Sequence, residues 1–296
     1  MLRVFSLLMS VLTVAYAGVA NAQQIDWAKI DETLGRTATV SGDVHRYGFP
    51  RTDLQVTLDG VSIRPALALG GWVAFKPAHG GVMAMGDLVV LETEINPVMS
   101  KLIENGIEIT AVHNHVLRGN PATFYMHIGG HGDPVKLATA IRTGLAESKT
   151  PLTPPAAPAS QPAIDLDTGQ LDQIIGAKGQ ANGGVYQFGV PRRDPITESG
   201  TQISPAGPMG VATAINFQST GGGKAAITGD FVLTGEEVNP VIKALRGNGI
   251  EVTAIHSHML TEQPRLIFLH FWANDDALKL ARGLRAALDK TARAKS

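Results

Sequence analysis

The sequence of 296 residues contains no cysteine. Disulfides, thiolate metal ligands, a thiol nucleophile and a lipid attached to cysteine are therefore all excluded. An excess of charge of one sign is also lacking, because 25 Lys and Arg balance 26 Asp and Glu, and no dense basic run occurs. We therefore expect no nucleic-acid partner. Beyond the N-terminus, no segment approaches the roughly 20 apolar residues that a membrane-spanning helix needs.

The N-terminus has the pattern of an export signal. Arg3 precedes an apolar run over residues 4–20, and Ala20-Asn21-Ala22 fits the small-residue rule for cleavage. An uncleaved membrane anchor is the alternative, but the apolar run is short and contains serine and threonine. The sequence therefore predicts a signal peptide at residues 1–22 and a mature, cysteine-free protein that is periplasmic or secreted.

The rest of the chain is an internal duplication. Residues 96–117 align with residues 239–260 without a gap, and 13 of the 22 positions are identical. Residues 149–163, between the copies, contain five prolines among small and polar residues, a composition typical of an extended linker. We therefore predict a first domain at 24–148, the linker at 149–163 and a second domain at 164–296.

The pattern of apolar residues predicts an α+β fold for each copy. Asn96-Pro97 is expected to be the N-cap and first turn of a helix, and Asp133-Pro134 to begin another. In the first copy the sequence predicts, in order, a helix at 27–34, short strands at 55–58 and 72–75, a strand at 88–93, a helix from Asn96 to 104, strands at 107–117 and 123–128, and a helix from 133 to 146. The second copy repeats this order. A strand-helix-strand-strand-helix core with antiparallel neighbours predicts two tandem copies of a mixed or antiparallel sheet module with helices.

Three histidines occur at equivalent positions in both copies, which predicts a divalent metal site in each. The two trios are His113, His115 and His127, and, 143 residues later, His256, His258 and His270. Since side chains alternate along a strand, we expect His113 and His115 to share the apolar face that contains Ile107 and Ile109. The following strand then brings His127 toward the same pocket. Three imidazoles suit zinc and are acceptable to manganese, iron or copper, whereas packed core histidines without metal are the alternative.

Two further pairs of duplicated residues are candidates for the site. Glu94 and Glu237 are predicted to be a fourth metal ligand or a catalytic general base, with stabilisation of a helix N-terminus as the alternative. Arg51 and Arg192 follow a Gly-x-Pro sequence and could bind an anionic substrate, although an arginine in this context can also hold a loop.

A third pair is less favoured as a ligand. Gly86-Asp87 and Gly229-Asp230 are predicted to form turns before a strand, with metal ligation as the alternative. Among other kinds of catalytic site, a Gly-x-Ser-x-Gly nucleophile motif is absent from the sequence.

The segment N-G-I-x-x-T-A-x-H-x-H, with the upstream Asn-Pro pair, resembles the LppY/LpqO-type family of bacterial exported proteins, a domain family of unknown function. The resemblance covers most of both copies. The lipoprotein name implies a lipid-modified cysteine, which this chain lacks, so anchoring by that route is not carried over. The resemblance implies an exported location and brings no established activity.

The leading hypothesis is an exported two-repeat metalloprotein that binds one divalent ion, zinc by preference, in each copy; if the protein is an enzyme, the hypothesis is a zinc-dependent hydrolase. The alternative is a noncatalytic periplasmic protein that binds metal or a small-molecule ligand in the same pockets. An open coordination position beside a cleft favours the enzyme, whereas four protein ligands without an open position favour binding or structure.

Overall fold

The structure is a computed structural model that describes residues 25–154, 162–203 and 207–294. The predicted signal peptide at 1–22 lies outside the described residues, as does the part of the predicted linker at 155–161. The first copy contains α1 (Trp27–Leu34), β1 (Thr39–Ser41), β2 (Val44–Pro50), β3 (Val56–Leu58), β4 (Val61–Ile63), α2 (Pro65–Ala68), β5 (Gly70–Ala78), β6 (Gly81–Leu91), α3 (Glu92–Glu104), β7 (Glu108–His113), β8 (Thr123–Gly132) and α4 (Pro134–Leu145).

The second copy repeats the order of the main elements. It contains α5 (Thr168–Ile175), β9 (Gln180–Asn182), β10 (Val185–Pro191), β11 (Thr197–Glu198), β12 (Thr201–Gln202), a 3-10 turn (Gly207–Met209), β13 (Ala212–Gly221), β14 (Lys224–Leu233), α6 (Gly235–Gly247), β15 (Glu251–His256), β16 (Ile267–Asp276) and α7 (Ala277–Leu288). Within the described ranges, no helix has both the length and the apolar character needed to cross a membrane.

Each copy forms one six-stranded antiparallel sheet. The strand orders are β1-β2-β5-β6-β8-β7 in the first copy and β15-β16-β14-β13-β10-β9 in the second. The short pairs β3-β4 and β11-β12 form separate two-stranded ribbons. The predicted α+β fold, with two similar antiparallel sheet modules and helices, is confirmed.

The two sheets pack face to face between two outer layers of helices. Along β6, Leu88 and Val90 point outward and pack with the helices of the first copy. Val89, between them, points inward and packs with Trp272 and Ala226 of the second sheet. This alternation is what a strand buried on both faces requires. The result is a four-layer arrangement of helices, sheet, sheet and helices, with an interface between the two copies at its centre.

Polar contacts fix the relative position of the two copies. The Gln218 side chain accepts a hydrogen bond from the Arg64 backbone N–H at 2.9 Å and donates to the Ser62 carbonyl at 2.8 Å. At the edge of the interface, Arg118 forms an ion pair with Glu251 at 2.7 Å. The interface is therefore specified by directional bonds as well as by apolar packing.

Helix α3 begins earlier than the sequence predicts. Its first residue is Glu92, and Pro97 lies inside the helix instead of in its first turn. The Glu94 carboxylate accepts the backbone N–H of Leu91 at 2.9 Å, which satisfies a donor that a helix N-terminus otherwise leaves unpaired. The Asn96-Pro97 prediction was wrong because this acidic residue at the third helical position caps the helix upstream.

Candidate metal centre

A β-bulge turns the His-x-His segment toward the interface between the sheets. In the ladder between β7 and β8, Ile109 lies opposite Ile128, but the register shifts and Ala111 lies opposite His127. Directly paired residues share a face of the sheet, so Ile109 faces the helices while Ala111 and His113 face inward. The prediction that His113 shares a face with Ile109 was wrong, because the extra residue of a bulge reverses the alternation.

The second copy has the same bulge, and the two bulged threonines join the copies. The register of β15 shifts at Thr253 as that of β7 does at Thr110. The Thr110 hydroxyl donates to the backbone carbonyl of His258 at 2.6 Å, and the Thr253 hydroxyl donates to that of His115 at 2.5 Å. Each bulge therefore holds the His-x-His segment of the other copy.

The two histidine trios form one cluster at this interface. Three pairs of rings stack across it, with centroid distances of 3.5 Å for His113 and His256, 3.6 Å for His127 and His258, and 3.9 Å for His115 and His270. The sequence predicted a separate site in each copy. The structure instead places all six imidazoles side by side on the inner faces of the two sheets.

The six Nε2 atoms of the cluster are buried and lack hydrogen-bond partners among the described residues. Nδ1 of His270 lies 2.8 Å from the carbonyl of Gly229, and Nδ1 of His113 lies 3.2 Å from that of Asn114. These contacts place the ring proton on Nδ1 and leave the Nε2 lone pair available, as is usual for histidines that bind metal.

Two aspartates complete the cluster. Asp87 carboxylate oxygens lie 3.8 Å from Nε2 of His115 and 3.7 Å from Nε2 of His127, and an Asp230 oxygen lies 3.6 Å from Nε2 of His258. These distances are too long for hydrogen bonds. They are close to the spacing of roughly 3.4 Å that two ligands of one tetrahedral ion have when each is about 2.1 Å from it.

Neither aspartate lies in a turn, so the prediction of turns at Gly86-Asp87 and Gly229-Asp230 was wrong. Asp87 lies within β6 directly opposite His127, and Asp230 lies within β14 directly opposite His270. The Oδ1 atom of each is buried, and no described residue forms a hydrogen bond to it. The signal available in the sequence was the 143-residue spacing of the two aspartates, which is the spacing of the histidines.

Burial raises the pKa values of the carboxylates in the cluster and lowers those of the imidazoles. Burial raises the pKa of Asp87 to about 7 and holds the pKa of Asp230 well above its usual range. Burial also lowers the pKa of His113 to about 4 and that of His256 to about 3. The imidazoles are therefore neutral at pH 7, the form that ligates metal, while neither carboxylate is in ion-pair contact with a lysine or arginine of the described residues.

The structure places Glu94, Glu237, Arg51 and Arg192 away from the cluster. The fully buried Arg51 guanidinium donates to Glu94 at 2.6 Å and to Asp53 at 2.9 Å, and Arg192 contacts Glu237 at 2.5 Å. The two groups of close ligand atoms among the described residues contain histidines only, so the glutamates and the two aspartates lie outside them, but only the aspartates have carboxylate oxygens within 4 Å of the imidazoles. These contacts argue against both predicted roles, because the carboxylates cap helices and the guanidinium groups are occupied by internal partners.

A cavity of about 700 Å³ adjoins the cluster between the two sheets. The residues of the cluster that line it are Asp87, Asp230, His115, His127, His258 and His270. A cavity of this volume is typical of a small-molecule site. An ion held by the cluster would therefore face a space that a ligand can enter.

Replacement of Thr253 by valine tests the role of the bulge. Thr253→Val removes the donor to the His115 carbonyl at nearly constant volume, so we expect the free energy of unfolding to fall by about 1–3 kcal/mol and metal affinity to fall with it. Urea unfolding and metal titration measure the two effects. Thr139→Val is the control, since the Thr139 hydroxyl donates to Val135 on the exposed face of α4. Equal results for the two variants would contradict a positioning role.

Comparisons with known proteins give a family and no activity. Among solved structures, the chain is similar to a trimeric bacterial microcompartment shell protein, PduB, with 16% identity over 87% of this chain and 91% of that chain. The TM-score of 0.22 is too low to support an argument about fold or function. No curated protein matches. The LppY/LpqO name is not among these matches and stays a prediction. Residues 28–147 and 169–290 each match the family described as Domain of Unknown Function (DUF1259), so the chain belongs to that family as two tandem copies.

Proposed function

We propose that the protein is an exported metalloprotein whose two copies together hold a pair of divalent ions. Each ion would take three imidazoles and one carboxylate. The two sets are His113, His115 and His127 with Asp87, and His256, His258 and His270 with Asp230.

The observation that carries the proposal is the set of unpaired ligand atoms. Six Nε2 atoms and two Oδ1 atoms are buried at one interface without hydrogen-bond partners in the described part of the chain. Leaving one buried polar group unpaired destabilises a fold by about 1–3 kcal/mol, and more when the group is charged. Bound cations would remove these penalties together, because each ion accepts lone pairs from several ligands and neutralises a carboxylate.

The donor set favours zinc. Neutral imidazoles and carboxylates are the ligands of zinc in proteins without cysteine, and they also accept manganese, iron or copper. The imidazole nitrogens form two groups, and within each group all nitrogens lie within 4.8 Å of one another. His113 belongs to both groups, with His115 and His127 in one and with His256, His258 and His270 in the other. This shared ring supports a pair of neighbouring ions over two distant sites.

The cavity favours a reaction on a small molecule over metal storage. Three imidazoles and a carboxylate already give four protein ligands, which by number alone is typical of a noncatalytic site. However, both aspartates and four of the histidines form part of the cavity wall, so ions held by these residues would be accessible from the cavity. We therefore propose a metal-dependent hydrolase: the histidines and aspartates would hold the ions beside the cavity, and the ions would supply activation of a water for attack on a substrate bound there. A noncatalytic metal- or ligand-binding protein is the alternative.

Metal analysis of the mature protein, purified without a histidine tag, tests the proposal. We expect about two divalent ions per chain. Replacement of His113, His115 and His127 by glutamine should leave at most one ion, because a complete ligand set is lost.

Two histidines outside the cluster provide the control. His79→Gln with His131→Gln removes two exposed imidazoles that could bind metal adventitiously, and this variant should retain two ions. The absence of tight binding in the parent protein, or full occupancy after loss of the trio, would overturn the proposal.

A further inference from the structure

Arg46 presents an unpaired positive charge to the cavity. It lies on the inner face of β2, since its neighbour Tyr47 packs with the helices on the other face. Its guanidinium carbon lies 3.8 Å from the centroid of the Trp72 ring, and one of its N–H groups donates to the Pro208 carbonyl at 2.5 Å. Within the described residues, Arg46 has no carboxylate in ion-pair contact. Its remaining N–H donors are therefore available to a ligand in the cavity.

The charges around the cavity, with metal bound, favour an anionic ligand. Its charged lining residues are Arg46, Asp87 and Asp230. If two divalent ions are bound, the two carboxylates neutralise only half of their charge, and Arg46 adds a further positive charge. A low-dielectric space with this excess strongly favours a negatively charged occupant.

We propose that the cavity binds an organic oxyanion, with its carboxylate or phosphate group held between the Arg46 guanidinium and the metal pair. This inference rests on the proposed metal centre. Arginine suits the role because its planar fork of donors matches two oxygens of such a group. Metal-bound ligands that also reach an arginine are fixed at two points, which orients the bond next to the ions.

The rest of the cavity accommodates the organic part of the ligand. Its volume of about 700 Å³ exceeds what a small inorganic anion would fill. Part of the wall consists of small or apolar side chains, namely Pro50, Leu67, Ala68, Ala212 and Ala214. We infer a compact apolar body on the ligand, in addition to its charged group.

The two copies differ at the position of Arg46. Alignment of residues 47–51 with residues 188–192 makes Gln187 the equivalent of Arg46 in the second copy. Gln187 also lines the cavity, but it is neutral and its side-chain amide donates to the Ala66 carbonyl at 2.7 Å. Among these two equivalent positions the cation is therefore contributed by the first copy only, which favours one orientation of the ligand. Arg46→Gln gives both copies the same residue and is a well-matched test variant.

Binding of two probes to the zinc-loaded protein tests the inference. Benzoate and phenylphosphonate share one apolar ring and carry the two alternative charged groups. We expect calorimetric titration to show binding of at least one probe. Arg46→Gln should weaken that binding at least tenfold while two zinc ions remain bound. Lys101→Gln, on the outer helix α3, removes the same charge and should leave binding unchanged.

A second pair of variants tests the location of the ligand without changing charge. A side chain at Gly48 or at Gly189 would meet open space, with no atom within 4 Å of an added Cβ. Gly48 lines the cavity, whereas Gly189, its equivalent in the second copy, is not among the lining residues. Gly48→Val should therefore impair probe binding by at least tenfold, and Gly189→Val should not.

The outcomes separate this inference from the proposed function. Equal probe binding by the parent and Arg46→Gln, with two zinc ions in both, would overturn the inference and leave the metal centre intact. Failure of the zinc-loaded parent to bind either probe would also overturn it. Absence of zinc from the parent would overturn both. If Arg46→Gln does not fold, Arg46→Lys replaces it, because this variant keeps the charge but loses the planar fork of donors. Unchanged probe binding by Arg46→Lys would count against the proposed geometry. Loss of probe binding by Gly189→Val would also count against it.

Discussion

Removal of divalent metal should lower the melting temperature of the protein by about 10 °C or more. A ligand at a hundredfold excess over its dissociation constant stabilises the folded state by about 2.7 kcal/mol, and two such sites contribute about 5 kcal/mol. For a chain of this size, 1 kcal/mol corresponds to a change of about 2–4 °C. Melting curves with and without chelator, with metal removal confirmed by elemental analysis, measure the effect.

Variants show whether the change in melting temperature comes from the histidine cluster. His79→Gln with His131→Gln should preserve the effect of chelator. Replacement of His115, His127, His258 and His270 by glutamine should abolish it, because both ligand sets are then broken. Identical melting curves for the parent protein with and without metal would show instead that the six imidazoles are a packed core.

The elements of the fold were predictable where their signals are local. Helix α1 has the predicted bounds, and α4 begins at Pro134 with Asp133 as its N-cap. In both helices an aspartate side chain accepts the backbone N–H three residues later, a contact that depends on neighbouring residues only. The start of α3 was mispredicted because two competing local signals lie close together, and the upstream acidic residue prevailed.

The histidines were identified from the sequence, but their arrangement was not. The duplication indicated which imidazoles belong together within each copy. It contained no information on how the sheets pack, and contacts such as that between His113 and His256 join residues far apart in sequence. The bulge at Thr110 also has no sequence signal of its own, because threonine is common in regular strands. A single extra residue decided which face of the sheet the imidazoles occupy.

The structure places a different pair of carboxylates beside the histidines from the pair that we predicted, and the sequence contained part of the physical reason. Glu94 and Arg51 are both duplicated, and residues of opposite charge that recur together can be partners of each other. Asp87 was assigned to a turn because glycine and aspartate are typical turn residues. In the structure Gly86 instead permits close packing within β6, where a Cβ would lie 2.8 Å from the Trp72 carbonyl oxygen.

Replacement of both Asp87 and Asp230 by asparagine should change the metal-free and metal-loaded proteins in opposite directions. Burial raises the folded-state pKa of Asp87 to about 7, against a value near 3.9 in an unfolded chain, although nearby Arg46 opposes the shift. The stability associated with the protonated group is therefore lost as the pH rises through 7. At pH 8, above the folded-state pKa of Asp87, the metal-free parent contains at least one buried carboxylate with no lysine or arginine of the described residues in ion-pair contact, and the amides remove its charge. We expect the metal-free variant to be more stable by on the order of 1–3 kcal/mol.

The same double variant should bind zinc at least about a hundredfold more weakly, because a lost ligand affects affinity more than a lost outer partner does. The gain in metal-free stability should shrink at pH 5, where Asp87 is protonated in the folded state. Glu94→Gln is the contrasting control, since Glu94 pairs with Arg51 and caps α3, and its loss should destabilise the metal-free and loaded proteins alike. If the aspartate variant also destabilised both forms, Asp87 and Asp230 would be structural groups and the ions would need other ligands.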